Sequence, residues 1–68
     1  MIRKLFKLKT SDITLVQFII EGYEGLATVS TLDPKGAVIQ VMIMADFVHD
    51  MNTILDDLKS RFQMEELF

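Results

Sequence analysis

Apolar and polar positions alternate from the second residue of the chain. In Ile2-Arg3-Lys4-Leu5-Phe6-Lys7-Leu8-Lys9, Ile2, Phe6 and Leu8 fall on one side, and Arg3, Lys7 and Lys9 on the other. That period of two predicts a strand with one wet face over residues 2–9, with Leu5 out of step. Its lysines suit a sheet edge, where charge discourages stray pairing. The period then lengthens. Ile13, Val16, Ile19, Ile20 and Tyr23 recur at helical spacing behind Thr10-Ser11-Asp12. Ser11 or Asp12 can accept from the free N–H groups of a first turn, so a helix is expected from Ser11 to Glu24. At ~1.5 Å per residue such a helix is about 20 Å long, the length of a five- or six-residue strand. Its β-branched residues make it depend on packing rather than on intrinsic propensity.

Residues 26–32, L-A-T-V-S-T-L, return to the strand pattern. Gly25 precedes them, where helices commonly end on a left-handed residue that glycine adopts cheaply; Leu26 is then expected to fold back onto Ile20. Gly22 reads as room for close approach of the next strand. Asp33-Pro34-Lys35-Gly36 has the residues of a type I turn, and a left-handed Gly36 would close it into a tight hairpin. Residues 37–44, A-V-I-Q-V-M-I-M, are apolar on both faces except at Gln40, as in a central strand. Asp46 reads as the cap of a second helix with the stripe Phe47, Met51, Ile54, Leu55, Leu58 and Phe62. Asp46 and Asp50 near its start and Lys59 and Arg61 near its end suit the helix dipole. Residues 63–68 fit either an extension of that helix or a short edge strand.

The order is strand, helix, strand, strand, helix, with a C-terminal strand as an option. A right-handed crossover between the first two strands lets the third slot between them. The expected fold is α+β and ferredoxin-like, with two helices on one face of an antiparallel sheet. Ala27, Val29, Ile39, Val41 and Ile43 are expected to face the helices. Thr28, Ser30, Gln40 and Met42 are expected on the open side.

Composition narrows the function. With 68 residues the chain is read as a single domain, 1–68. Half of it is hydrophobic and it has no cysteine, so no disulfide or thiolate supports so small a core. An apolar excess of that kind is often buried against a second copy. The net charge of −3 argues against general nucleic-acid binding. No signal peptide and no membrane-spanning run is read, so a cytoplasmic protein is expected.

Candidate chemistry is sparse. One histidine and no cysteine leave no metal-ligand spacing, and no cofactor is expected. His49 reads as an exposed residue on the second helix, too isolated for a nucleophilic triad. Asp56-Asp57 and Glu65-Glu66 are sequence neighbours that point in different directions, so they read as solvated faces. Gly22-Tyr23-Glu24-Gly25 follows a helix, whereas a phosphate cradle opens one. Lys9-Thr10-Ser11-Asp12 does run from strand to helix, so Thr10 and Ser11 are the candidate ligand-binding residues. The five methionines read as core and contact filler. Val38, Met42 and Met44 fall on the open face, where an apolar strip marks an interface.

The passage I-I-E-G-Y-E-G-L-A-T-V-S-T-L-D-P-K-G resembles a family of short uncharacterised bacterial proteins with the motif E-x-Y-[DE]-G-L-A-x-V-x-T-L-D. In topology it is similar to ACT domains, ferredoxin-like modules that bind amino acids and regulate enzymes. That resemblance implies a homodimer, with an amino-acid-like effector near the turn between first strand and first helix. Here that turn is Lys9-Thr10-Ser11-Asp12, without the family's glycine. The expectation is a regulatory or ligand-sensing domain that is not an enzyme. The alternative is a partner subunit docking on a larger protein through its open sheet face.

Overall fold

The computed structural model describes residues 1–23 and 25–67. Its elements run β1 (Ile2–Lys7), α1 (Ile13–Glu21), β2 (Ala27–Asp33), β3 (Val38–Ile43), α2 (Val48–Phe62) and β4 (Glu65–Glu66). The four strands form one antiparallel sheet in the order β2-β3-β1-β4. The hairpin's second strand therefore lies between the first two, as the crossover argument requires. β1 is an inner strand rather than the expected edge, although β4 covers only its Phe6–Lys7 end. The C-terminal tail resolves as this short strand, with the Leu67 N–H donating to the Leu5 carbonyl at 2.8 Å.

The pairing register sorts the side chains by face. Ile2, Ile43 and Ala27 share one row, Lys4, Val41 and Val29 the next, and Phe6 and Ile39 another. Phe6, Ala27, Val29, Ile39, Val41 and Ile43 of these rows meet Val16 and Ile20 of α1 and Met51, Leu55 and Leu58 of α2 in a single buried cluster, while Ile2 stays exposed. Both helices therefore cover the same face of the sheet. Fully burying an aliphatic or aromatic side chain stabilises by about 1.5–3 kcal/mol. Phe6, Ile20, Ile39, Ile43 and Met51, all 0 % exposed, are where that gain concentrates. Alternate residues face away from the helices: Arg3, Leu5 and Lys7 on β1, Thr28 and Ser30 on β2, Val38, Gln40 and Met42 on β3.

Several local expectations change. α1 stops at Glu21, and Ser11 and Asp12 belong to a single 3-10 turn, Thr10–Asp12, that precedes it. Asp12 takes the N-cap position without a side-chain cap bond. Its backbone N–H instead donates to the Lys9 carbonyl at 2.9 Å, closing that turn. A second 3-10 turn, Ala45–Phe47, takes up Asp46, so Phe47 rather than Asp46 precedes α2. Tight turns satisfy the same free amides that a capping side chain would. Gly22 does not admit a strand: a Cβ there would meet the Phe18 carbonyl of its own helix at 3.1 Å. Tyr23 leaves the buried stripe and is 43 % exposed.

At the hairpin the left-handed residue is Ala37, with φ 56°, not Gly36. Gly36 serves a different need. The Asp33 Oδ1 accepts from the Lys35 N–H at 3.1 Å and the Gly36 N–H at 3.0 Å. A Cβ on Gly36 would lie 2.5 Å from Asp33 Oδ2, so a larger residue there would have to displace the carboxylate from its place over the turn. The C-terminus of α2 closes on a left-handed Gln63 (φ 52°), with the Met64 N–H donating to the Lys59 carbonyl at 3.1 Å. Met64, 6 % exposed, then folds onto the core, the hydrophobic contact usual for this ending.

Candidate functional site

The sequence motif between α1 and β3 proves to be built for the sheet. Glu21, the last residue of α1, reaches across to β2, where its Oε2 accepts from the Val29 backbone N–H at 3.0 Å. β2 is an outer strand of the sheet, paired only with β3. Val29 opposes Val41, and its N–H points away from that partner. The carboxylate thus occupies the middle of an otherwise open edge, which blocks pairing by another chain. Gly25 takes the left-handed φ of 75° that turns the chain from α1 into β2, three residues beyond Gly22. With the Asp33 turn, three residues of the motif have structural roles: Glu21 as a side-chain acceptor at the β2 edge, Gly25 as a left-handed turn residue, and Asp33 as the carboxylate that closes the hairpin.

Thr10 and Ser11 are both exposed, in the turn that follows the end of β1 where Lys7 pairs with Val38. Val38 and Met42 lie on the open face of the sheet and are half-buried, and Met44 follows β3 at 44 % exposure. Leu5, out of step in the sequence pattern, joins them there, opposite Gln40. Gln40, the polar residue of β3, accepts from the Arg3 guanidinium across the strands. Lys7 lies opposite Glu65 of β4. On the open face Leu5, Val38 and Met42 therefore alternate with polar neighbours, standing opposite Gln40, Lys7 and Arg3 in turn, and Glu65 beyond Lys7 adds the opposite sign of charge. Thr10–Ser11 and Met42–Met44 sit at opposite ends of β3, so they do not converge on one site.

A charge cluster pins β4. Glu66 lies 3.5 Å from the Lys4 Nζ and 3.3 Å from the Lys59 Nζ, and Asp56 lies 3.5 Å from Lys59. The hydrogen bond that the Lys59 ammonium donates to Glu66, with the fields of Glu66 and Asp56, holds that ammonium above its ordinary pKa. Glu66 is thus a tether between β1, β4 and α2 rather than part of a solvated face. Its exposed geometry makes each pair worth little alone. His49 is exposed on α2, as expected. Among the described residues no group of three or more His, Cys, Asp or Glu is placed to hold a metal ion. Among them, too, no helix is long and apolar enough to cross a membrane.

Besides Glu66, two features lie outside the sequence reading. One is Glu21, whose partner is eight residues away on another element. The other is the outer face of α1, where Phe18 is 76 % and Leu15 49 % exposed. The signal for the second was present: six of the eight residues Ile13–Ile20 are apolar and none is charged, more than one buried stripe can use.

Residues 6–61 match the family described as a domain of unknown function, DUF4911. The match spans most of the chain, and the protein belongs to that family. Neither a curated protein nor a solved structure shows a significant match to it.

Proposed function

We propose that this DUF4911 domain is a ferredoxin-like, ACT-like association module, non-catalytic, working as a homodimer through its open sheet face. The antiparallel order β2-β3-β1-β4 with both helices on one side supports the fold assignment. The observation that carries the dimer is the group Leu5, Val38 and Met42, half-buried and interleaved with Gln40, Lys7 and Arg3 on the face of the sheet turned away from both helices, with the exposed Met44 following it. An apolar group of this kind in so small a domain gains most by being buried. Its border carries Arg3 and Lys7 together with Glu65, so a second copy, turned by a two-fold axis, can set opposite signs against each other. The regulatory part of the reading is an amino-acid-like effector at Thr10 and Ser11, supported by their exposure in the strand-to-helix turn.

The test is the mass of the protein in solution, by light scattering and native mass spectrometry, for the natural chain and for Met42→Glu. Met42 points away from the core, so the variant keeps its fold and melting cooperativity while the dimer dissociates. A monomeric natural chain at every concentration overturns the dimer. A change in melting temperature with single amino acids, lost in Thr10→Ala/Ser11→Ala, tests the effector.

A further inference from the structure

We propose that residues 63–67 form a salt-sensitive strap over the outer edge of β1. The strap releases while the rest of the domain stays folded, and α2 then grows through it. The strand conformation of this segment runs against its composition. Gln63, Met64, Glu65, Glu66 and Leu67 are all strong helix formers, and glutamate is depleted in strands. α2 nevertheless stops at Phe62, and Gln63 takes a left-handed φ of 52° that turns the chain back. Glycine adopts that conformation cheaply and glutamine does not. A conflict of this kind between local preference and fold marks a segment with a second arrangement close in free energy.

Few contacts hold the strap, and the strongest of them are ionic. β4 is two residues long, pairing Glu66 with Phe6 and Glu65 with Lys7, and the Leu67 N–H adds one bond to the Leu5 carbonyl at 2.8 Å. Of the five side chains only Met64 is buried; Gln63, Glu65 and Glu66 are exposed and Leu67 is half-buried. Glu66 supplies the clasp, 3.5 Å from the Lys4 Nζ and 3.3 Å from the Lys59 Nζ. These side chains are 22–38 % exposed, so dissolved salt screens the clasp. Lys59 also has Asp56, one helical turn earlier on α2, at 3.5 Å. It keeps that carboxylate when Glu66 leaves, which lowers the barrier to release.

The two edges of the sheet are thus closed in different ways. At β2 a carboxylate fixed to α1 plugs the Val29 N–H. At β1 the cover is a strand that can leave. The Leu8 N–H donates to Ala37 on the β3 side, so by alternation the Lys7 and Leu5 backbone groups face β4 and those of Phe6 face β3. Release frees the Leu5 and Lys7 groups and leaves the β1–β3 ladder whole.

This inference does not rest on the sheet-face dimer. Its test is amide exchange of the full chain, corrected for intrinsic rates and read on neighbours in one strand. Lys7 and Leu67 should exchange about tenfold or more faster than Phe6, by opening of the strap alone. Raising sodium chloride from about 0.05 to about 0.5 M should speed both about threefold relative to Phe6. Glu66→Gln should show that faster exchange already in low salt and lose the salt dependence. Gln63→Gly, which fits the left-handed turn and disfavours the longer helix, should slow both amides. Saturation-transfer NMR on Glu66→Gln, whose released state is the more populated, should give helical carbon shifts for residues 64–66 in that state. Exchange of Lys7 and Leu67 in step with Phe6 would overturn the proposal. So would indifference to salt and to Glu66→Gln, or the absence of a released state with helical shifts.

Discussion

Replacing Glu21 by alanine isolates the carboxylate that closes the edge of β2. Its Oε2 accepts the Val29 N–H at 3.0 Å in a half-buried setting. A hydrogen bond to a charged group contributes about 1.5–3 kcal/mol. Water can replace part of it, because β2 is an outer strand. Glu21 also sits at the negative end of α1, so removing its charge returns roughly 0.3–1 kcal/mol. The net expectation is a loss of about 1 kcal/mol, which for a domain of this size lowers the melting temperature by about 4–8 °C. Glu21→Gln keeps an acceptor and sheds the unfavourable charge, so it should melt close to the natural chain. Thermal denaturation followed by circular dichroism gives the stabilities, and amide exchange gives the local effect. The Val29 amide should exchange faster in the alanine variant, while Val41, buried in the neighbouring strand, should not change relative to global stability. An alanine variant as stable as the natural chain, with Val29 equally protected, would refute the edge-closing role.

Two further substitutions probe the turns. Gln63→Gly relieves a left-handed residue on an exposed side chain and should raise stability by about 0.5–1 kcal/mol in denaturant titrations; a loss would mean the Gln63 side chain contributes more than its backbone costs. Gly36→Ala drives a methyl group against the Asp33 carboxylate, which must give up its two backbone N–H partners, for a loss of about 1 kcal/mol; unchanged stability would show that the turn does not depend on that carboxylate.

The two periods of the hydrophobic pattern suffice for five elements and the core face of the sheet, while residues 63–68 fit helix and strand equally: alternation fixes the face of Phe6 and Val29, and in β3, apolar on both faces, Gln40 alone sets the phase of Ile39, Val41 and Ile43. The helix starts were not legible in the same way. Ser11, Asp12 and Asp46 are good capping residues by type, yet single 3-10 turns satisfy the amides first, and sequence does not rank those two solutions. The left-handed residue of the hairpin moved from Gly36 to Ala37 because the glycine is required by a side chain, Asp33, rather than by its own φ. Glu66 reads as part of a solvated face and Glu21 carries no signal of its own; their partners lie on other elements and become visible only once the strands are ordered. Val38 and Met42 were placed on the open face from alternation, and Leu5 joins them there. Phe18 was passed over because a helical stripe accounts for buried positions and gives no reason for the apolar ones left outside it.

The most direct test of the account is the solution mass of the natural chain beside Met42→Glu across a concentration series. The natural chain is expected to be a dimer that becomes a folded monomer when a charge is set into the open sheet face. A natural chain that stays monomeric, or a Met42→Glu variant that stays dimeric, would contradict it.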